Sequence, residues 1–341
     1  MLPESTAPAL LVTGLPGVPG WNLFHWFRKR WPGPVVGLRP VQNLKAHAEG
    51  ALPLDAEDFA GLRALFAEHR FGAVLDASGN CALKACEHDE RLSHLLNCDF
   101  GVEVARLSLE YGAQLVRLST DLVFSGVDSH GGMYREEEAT DPVTIYGRDM
   151  AESEELIRKL RSDAHILRIP LPMGYTPGGH AGAIDWIEWR FRNHRPATLY
   201  FDEVRNPIFR DDLARVVEQI LTQPSSIPPG LYHCGGARSS SLYEIGQIIN
   251  AVGGYDSSLL MGCPRQEAGP MPPRAGNVSV DSSRLTQYLP AGTLRPWPAQ
   301  PYLLPIDRAW HHHVDRNRWG GGHQVVPLLL DGKYIPELES L

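Results

Sequence analysis

Three glycines, Gly14, Gly17 and Gly20, stand in the segment "TGLPGVPG" with G-x-x-G-x-x-G spacing. The apolar run "ALLVTG" (9–14) precedes them, and a segment with helical spacing of apolar residues (20–31) follows. A strand–turn–helix of this kind lets the backbone approach a pyrophosphate, which the free N–H groups of the helix N-terminus then bind. The pattern predicts a dinucleotide site, and the alternative is a plain glycine-rich turn.

The second apolar run ends in "VVGLRP", which places Arg39 just after a predicted strand. Proteins that prefer NAD usually carry Asp or Glu near this point, because a carboxylate binds the ribose diol. A guanidinium suits a 2′-phosphate instead. The residue therefore favours NADP(H), with NAD(H) as the alternative cofactor and a solvated surface arginine as the alternative reading.

Tyr146 and Met150 stand four residues apart in "YGRDMAESEELI" (146–157), where the pattern predicts the start of a helix. Residues i and i+4 share one helix face. With an ordinary pKa near 10, only about one tyrosine in a thousand is phenolate at pH 7. Methionine carries no charge and is only a weak acceptor. The pair therefore suits a proton donor, as ketone reduction requires, better than a proton acceptor.

Alternating strands and helices must hold these residues in place. Strand and helix patterns succeed one another up to residue 170, which predicts a Rossmann-type doubly wound parallel α/β sheet. The predicted strands are 9–14, 35–38, 72–78, 113–120 and 164–170, and the predicted helices are 20–31, 56–70, 89–112 and 146–160.

The pattern loosens after residue 170 and becomes rich in proline, which indicates a smaller C-terminal region over one end of the sheet. We therefore expect three parts. Residues 1–170 mainly form the NAD(P)-binding Rossmann domain, and residues 171–300 mainly form a substrate-binding region interleaved with it. Residues 301–341 form a C-terminal extension that has no functional account in the sequence.

Composition excludes several classes of function. The formal net charge is −8 and no Lys/Arg run occurs, so no nucleic-acid partner is expected. The N-terminus does not resemble a signal peptide, and no window reaches the ~20 apolar residues that span a bilayer. The five cysteines form no CxxC pair, which is typical of reduced thiols. We expect a cytoplasmic protein without a membrane partner.

The segment "WHHHVDRNRW" (310–319) contains three adjacent histidines. Adjacent residues on a regular helix or strand cannot all face one ion. We therefore expect no metal site here, and a surface or interface segment instead.

Five further segments carry a family resemblance. They are "GAVLDASGNCALKACEHDE" (72–90), "LVRLSTDLVFSG" (115–126), "YGRDMAESE" (146–154), "RNPIFRDDLARVV" (205–217) and "PRAGNVSVDSSRL" (273–285). In order and spacing they resemble the extended short-chain dehydrogenases of the dTDP-4-dehydrorhamnose reductase type, whose signature is "STDYVFDG" followed by Tyr-x-x-x-Lys. The resemblance runs from residue 9 to about residue 290.

This resemblance implies NADPH-dependent reduction of a 4-keto group on a nucleotide-activated deoxysugar. A nucleotide-sugar substrate is thus the expected partner, with a homodimer or a partner enzyme as further candidates. The same architecture also serves a non-catalytic regulatory subunit of methionine adenosyltransferase. A binding protein without turnover is therefore the alternative function, because a fold alone does not determine activity.

The resemblance also implies roles for individual residues. Thr120 would hydrogen-bond the substrate carbonyl and Tyr146 would be the catalytic acid, with Met150 at the catalytic lysine position. Candidates for cofactor binding are Gly14, Gly17, Val18, Gly20, Arg39, Asp55, Ala77, Ser78, Gly79, Asn97 and Ser119, of which Asn97 would brace the helix behind the site. Candidates on the substrate side are Asp121, Leu122, Arg274 and Asn277, of which Asp121 would mainly support the loop.

Two positions depart from the family pattern. Leu122 stands where the signature has a tyrosine that faces the sugar, so the substrate could differ. At position 150 the family's lysine lowers the pKa of the tyrosine and binds the nicotinamide ribose, and methionine can do neither. Among cations that could substitute, Arg148 points away from Tyr146, Lys159 lies more than three turns along, and Lys84 follows the third strand.

Overall fold

A computed structural model describes residues 7–127, 131–179, 182–315, 319 and 325–332. Its strands are β1 (Leu10–Val12), β2 (Val35–Arg39), β3 (Ala51–Pro53), β4 (Ala73–Asp76), β5 (Gln114–Thr120), β6 (His165–Ile169), β7 (Pro172–Met173), β8 (Ala197–Tyr200), β9 (Val204–Arg205), β10 (Ile208–Phe209), β11 (Gly230–His233), β12 (Ser240–Ser241) and β13 (Leu260–Cys263).

The helices alternate with these strands. They are α1 (Val18–Phe27), α2 (Phe59–His69), α3 (Leu83–His88), α4 (Glu90–His94), α5 (Phe100–Glu110), α6 (Ile145–Leu160), α7 (Ala183–Arg192), α8 (Arg210–Thr222), α9 (Leu242–Gly253), α10 (Ser283–Thr286) and α11 (Trp310–His313). A π-helical turn, Leu95–Asp99, joins α4 to α5.

Seven strands form one parallel sheet in the order β11-β6-β5-β4-β1-β2-β3. β1 lies between β2 and β4, so the chain runs outward from β1 in one direction and then in the other. A crevice forms at the carboxyl ends of the strands at such a point, and open α/β sheets bind ligands there. The loops after β1, β4 and β5 meet at this edge.

Two apolar layers cover the sheet, because successive side chains of a strand point to opposite faces. Leu10 and Val12 of β1 pack in the cluster that contains Phe24 of α1 and Val217 of α8. Leu11, between them, packs in the cluster that contains α2, α5 and α6 residues. The near-continuous apolar runs of the strands follow from this double coverage.

The smaller region lies beside the sheet and has its own apolar cluster. It contains α7, α9 and the parallel pair β8–β13. The two regions are interleaved, since β11 leaves the smaller region and pairs with β6 at the edge of the large sheet. α8 packs on the large sheet in the same way.

The C-terminal extension packs on the smaller region in its described part. Trp310, Trp319 and Leu328 are buried in the same cluster as α7 and α9. The expectation of a surface segment at 310–319 is wrong for His311, which is 1% exposed and hydrogen-bonds Gln247. Packing against α9 buries this ring.

The predicted Rossmann-type sheet is confirmed, and the predicted strands and helices are present with shifted ends. The predicted helix 20–31 begins at Val18, two residues earlier, with Pro19 in its first turn, where a missing N–H costs nothing. The short edge strand β3 ends in Pro53 and escaped prediction. In the described residues, no helix is long and apolar enough to cross a membrane.

The anchoring of α6 to the sheet generates a stability prediction. Glu154 of α6 accepts hydrogen bonds from the guanidinium of Arg168 on β6, at 2.7 to 3.1 Å, and from the Ser119 hydroxyl at 2.5 Å. Both charged side chains are buried, 4% and 6% exposed. Removing one partner of such a pair leaves a buried charge unpaired.

We therefore expect Glu154→Ala to lower the free energy of unfolding by about 3–5 kcal/mol in urea denaturation. The matched control is Glu155→Ala on the same helix, which breaks an exposed pair with Lys159. Exposed pairs contribute little, so the control should unfold at the wild-type urea concentration. Equal losses in the two variants would contradict the anchoring role of Glu154.

Candidate active site

A cleft of about 1160 Å³ opens at the carboxyl ends of β1, β4 and β5, between the large sheet and the smaller region. Many of the residues predicted from the sequence meet there. The predicted residues that line it are Gly17, Val18, Ala77, Ser78, Gly79, Ser119, Thr120, Leu122, Tyr146, Met150 and Arg274.

The glycine turn forms one wall of the cleft. At two of its glycines the neighbouring backbone lies too close to leave room for a side chain. Gly14 has φ +70°, and a Cβ there would lie 2.0 Å from the carbonyl oxygen of Ala77. A Cβ on Gly20 would lie 2.1 Å from the carbonyl oxygen of Gly14. Gly17 differs, since a Cβ there would meet only ordinary contacts, at 3.4 Å and beyond. Gly17 therefore faces the cleft, while Gly14 and Gly20 shape the turn behind it.

A buried polar network connects this turn to the loop after β4. The Thr13 hydroxyl donates to Asp76 Oδ1 (2.5 Å) and accepts from the Ala77 N–H (3.0 Å). The Ser78 N–H donates to the same carboxylate oxygen, at 3.0 Å. These bonds fix Ala77 and Ser78 along the cleft, beside the glycine turn.

Arg117 of β5 completes the network and was missed from the sequence. Its Nη1 donates to Asp76 Oδ2 (2.7 Å), the Ser78 hydroxyl (2.8 Å) and the Ser78 carbonyl (3.1 Å). Its Nη2 donates to the Asn97 carbonyl, at 3.1 Å. The available signal was a charged residue inside the apolar run "QLVRLST", because charge in a buried strand requires a partner.

Thr120 and Tyr146 place two hydroxyls together in the cleft. Thr120 is the last residue of β5, and Tyr146 lies in the first turn of α6, which Thr144 caps by accepting from the Gly147 N–H. Both side chains line the cleft, where the Thr120 hydroxyl donates to Asp121 Oδ1 at 3.2 Å. Burial raises the pKa of Tyr146 and outweighs the lowering by Thr120, Arg205 and Arg117. The phenol is therefore neutral near pH 7 and carries a proton that it can donate.

Met150 lies one turn further along α6 and is 2% exposed. Its sulfur accepts from Nη2 of Arg117 at 3.6 Å, at the edge of the cleft. Of the three cations weighed from the sequence, Lys84 lines the cleft, Arg148 is exposed, and Lys159 pairs with Glu155. The guanidinium nearest to position 150 belongs to Arg117 instead.

The predicted substrate residues divide into two groups. Leu122 and Arg274 line the cleft. Asp121 is fully buried behind it and accepts a bidentate pair of hydrogen bonds from Arg205. Asn277 lies outside the cleft wall, where its side chain bonds the Gly131 carbonyl and Ser279. The ion pair of Asp121 with Arg205 joins the turn after β5 to β9.

Besides Gly14 and Gly20, three predicted cofactor residues lie outside the cleft wall. The Arg39 guanidinium donates to the carbonyls of Pro40 and Val41, at 3.1 and 3.0 Å, so it must turn outward to meet a phosphate. Asp55 accepts from the Val41 N–H. Asn97 is buried in the π-helical turn, and its Oδ1 accepts from the Asn80 N–H at 2.6 Å. A contact of these residues with a cofactor stays a prediction.

The smaller region contributes the opposite wall, in which Arg274 was predicted from the sequence and its neighbours were not. The Arg274 guanidinium lies 4.7 Å from the Tyr200 ring centroid and 3.7 Å from Glu203. Cations and aromatic rings thus face the hydroxyl pair across the cleft. The charged and aromatic residues from this side include Trp186, Arg190, Tyr200, Glu203, Arg205 and Arg274.

Comparisons with known proteins show what the chain is similar to. The family model described as "RmlD substrate binding domain" matches residues 9–300. The spore coat polysaccharide biosynthesis protein SpsK of Bacillus subtilis (strain 168) is 27% identical over 233 residues, 67% of this chain and 79% of that protein. Methionine adenosyltransferase 2 subunit beta of Xenopus tropicalis is 25% identical over 315 residues, 89% of this chain and 90% of that protein.

Among solved structures, the fold is similar to that of dTDP-4-dehydrorhamnose reductase from Bacillus anthracis str. Ames in complex with NADP. The TM-score is 0.69 at 18% sequence identity, and the match covers 83% of this chain and 93% of that one. At this identity the likeness establishes the shared fold.

The different surroundings of the glycines generate a second prediction. Gly17→Ala should fold with an unchanged unfolding temperature, because its Cβ meets only ordinary contacts. Its methyl group should weaken NADPH binding about tenfold by blocking close approach of the pyrophosphate to the turn. Isothermal titration of NADPH checks the affinity. The control is Gly20→Ala, which should lose folding stability; unaltered affinity in Gly17→Ala would mean that the cofactor binds elsewhere.

Proposed function

Because the chain belongs to the RmlD substrate binding domain family, whose model matches residues 9–300, we propose that it reduces a 4-keto group on a nucleotide-activated deoxysugar with NADPH. The observation that carries this proposal is the presence of two hydroxyl side chains, Thr120 and Tyr146, in the wall of one cleft. Two donors at one point suit a carbonyl oxygen that gains negative charge as the carbonyl is reduced.

The residues act as follows in this proposal. Thr120 donates a hydrogen bond to the substrate carbonyl oxygen and holds it near Tyr146. Tyr146 then gives its phenolic proton to that oxygen as the alcohol forms. A bound nicotinamide supplies the hydride. The apolar surroundings of Tyr146, which include Leu122 and Ile145, exclude water from the proton transfer.

The charge state of Tyr146 favours the direction of reduction. Its raised pKa keeps the phenol protonated, so an acid is present at pH 7 and a base is not. A lysine at position 150 would favour the phenolate, and Met150 does not. The site therefore fits ketone reduction better than alcohol oxidation.

Residues around the glycine turn fit a dinucleotide. Gly17 brings backbone to the cleft surface at the N-terminus of α1, where N–H groups bind phosphate. Ala77, Ser78 and Gly79 form the neighbouring wall, with Gly79 at φ +138°. Arg39, turned outward from the carbonyls that it now contacts, would recognise the 2′-phosphate of NADP. NADP in the Bacillus anthracis reductase structure supports the same choice.

The opposite wall fits a sugar nucleotide. Arg190 and Arg274 offer positive charge to a diphosphate, and the rings of Trp186 and Tyr200 offer surfaces for a base and a sugar. The dTDP-sugar named in the Bacillus anthracis reductase supports this substrate class.

A second candidate function rests on Met150. The methionine adenosyltransferase subunit beta is similar over 89% of this chain, and Met150 removes the charge that the family's lysine places in the site. In this alternative the cleft binds a nicotinamide or a sugar nucleotide and regulates a partner enzyme without turnover.

NADPH oxidation with a dTDP-4-keto-6-deoxyglucose-type substrate distinguishes the two functions. We expect turnover by the wild-type protein and a loss of about 10²–10⁴-fold in kcat for Tyr146→Phe, because the general acid is removed. NADPH affinity should not change in this variant. Tyr111→Phe, which keeps its ring contact with Phe66 outside the cleft, is the matched control and should turn over normally. Tight NADPH binding by the wild type without consumption would contradict the reductase and favour the regulatory role.

The pKa of Tyr146 generates a prediction of pH dependence. Because burial raises this pKa above its ordinary value near 10, the proton-donating form persists from neutral pH to about pH 10. The kcat for ketone reduction should therefore show no loss from tyrosine ionisation below about pH 10, whereas any alcohol oxidation should accelerate steadily over this range. An inflection near pH 7 that disappears in Tyr146→Phe would contradict the raised pKa.

A further inference from the structure

Arg117 is a buried cation behind the wall that the loop after β4 forms in the candidate active site. Its side chain is 1% exposed, and that of its partner Asp76 is fully buried. The Nη2 group lies 3.6 Å from the sulfur of Met150, the residue at the lysine position. The cation therefore approaches position 150 from the sheet, whereas the family's lysine reaches the site from α6.

We propose that Arg117 is a positioning residue that fixes the cofactor wall next to position 150, and that Met150 is the residue this arrangement requires. The proposal rests on the proposed reductase function for the meaning of the site. Its structural basis is the set of contacts that Arg117 makes with the loop after β4 and with α6.

Arg117 fixes the wall on which the cofactor is expected. Nη1 holds both the hydroxyl and the carbonyl of Ser78, and Nη2 holds the carbonyl of Asn97. Ser78 lines the cleft next to Gly79. Arg117 itself lies behind this wall, so it acts on a bound cofactor through Ser78 and Met150.

Two neighbouring residues, one on α5 and one on α6, accommodate the guanidinium. A Cβ on Gly101 of α5 would lie 2.9 Å from Arg117 Cζ, so glycine leaves the space that the planar group occupies. Met150 presents an uncharged sulfur, a weak acceptor, to a donor on Arg117. Glycine on one side and methionine on the other make a site for one cation.

A lysine at position 150 would place a second buried cation against the first. Only one carboxylate, that of Asp76, pairs with Arg117 among the described residues. Two like charges that share one counter-charge in a low-dielectric environment repel each other strongly. Met150→Lys is therefore expected to damage this protein, although it restores the family's residue.

The experiment is a double-mutant cycle of Arg117→Met and Met150→Lys, with NADPH affinity and thermal unfolding as readouts. We expect each single variant to bind NADPH at least tenfold more weakly than the wild type. Arg117→Met leaves the buried Asp76 carboxylate without its cation, and Met150→Lys places a second cation next to Arg117. The double variant should recover most of the affinity and of the unfolding temperature, because one cation again faces Asp76.

A further comparison keeps the test decisive if Arg117→Met alone does not fold. Met150→Lys should remain harmful in the Arg117→Lys background, where the lower cation is kept. It should be tolerated in the Arg117→Met background, where that cation is gone. Equal harm in the two backgrounds would overturn the proposal.

The pH dependence adds a readout that a purely steric effect of the new side chain would not change. Burial and the neighbouring guanidinium would depress the folded-state pKa of a lysine at position 150 below its unfolded value near 10.4. The stability deficit of Met150→Lys should thus grow as pH falls from about 10 to 7. That growth should vanish when Arg117→Met is combined with it.

Two results would overturn the proposal. The first is a double variant whose loss of NADPH affinity equals the product of the losses in the two single variants. The second is a gain of NADPH affinity in Met150→Lys alone. Neither readout needs a sugar substrate. An intact coupling without any sugar turnover would therefore count against the reductase function and leave the role of Arg117 standing. If NADPH does not bind at all, the coupling in unfolding temperature decides the question.

Discussion

The buried ion pair between Asp76 and Arg117 is the interaction on which the site depends. Taking both charges out of water is costly, and additional hydrogen bonds to the two side chains offset part of that cost. Here Asp76 also binds Thr13 and the Ser78 N–H, and Arg117 also binds Ser78 and Asn97. Those partners come from the end of β1, the loop after β4 and the π-helical turn, so the pair holds together the parts that form one side of the cleft.

Helix α6 is also held to the strands by polar contacts along one of its faces. Tyr146, Met150 and Glu154 follow one another at four-residue spacing, and each meets a polar group from the end or the interior of a strand. Tyr146 meets Thr120, Met150 meets Arg117, and Glu154 meets Arg168. The helix that carries the proposed acid is thus held at three points. Such support fixes a reactive hydroxyl more tightly than apolar packing alone, because hydrogen bonds have directional preferences.

The sequence allowed the fold to be predicted because its signals are local and periodic. Apolar runs, helical spacing and the glycine turn were sufficient for the parallel sheet, and the ordered family segments indicated the family that the match over residues 9–300 confirms. Thr120 and Tyr146 were predicted in the same way, since each lies in a motif with fixed spacing, and both line the cleft.

The rest of the site depends on contacts between distant residues, which periodicity does not contain. Arg117 meets Met150 across 33 positions and Asp76 across 41. Arg39 follows a predicted strand as expected, yet its guanidinium bonds the carbonyls of the loop beside it. The wall from the smaller region, with Tyr200 and Glu203, comes from a stretch where short strands and loops hide any repeating pattern. Tertiary packing decides these positions.

The return of the chain to the large sheet has a consequence for how the molecule folds. β11 pairs with β6 only after some sixty intervening residues, which include α7 and β8 of the smaller region. During synthesis β6 is therefore an open sheet edge, with unpaired N–H and C=O groups, until residue 230 has emerged. Pairings over such separations form slowly, because loop closure must precede the contacts that reward it. A fragment that stops after β6 would keep this edge exposed and would be prone to aggregation, so the large sheet depends on residues from beyond the smaller region's first elements.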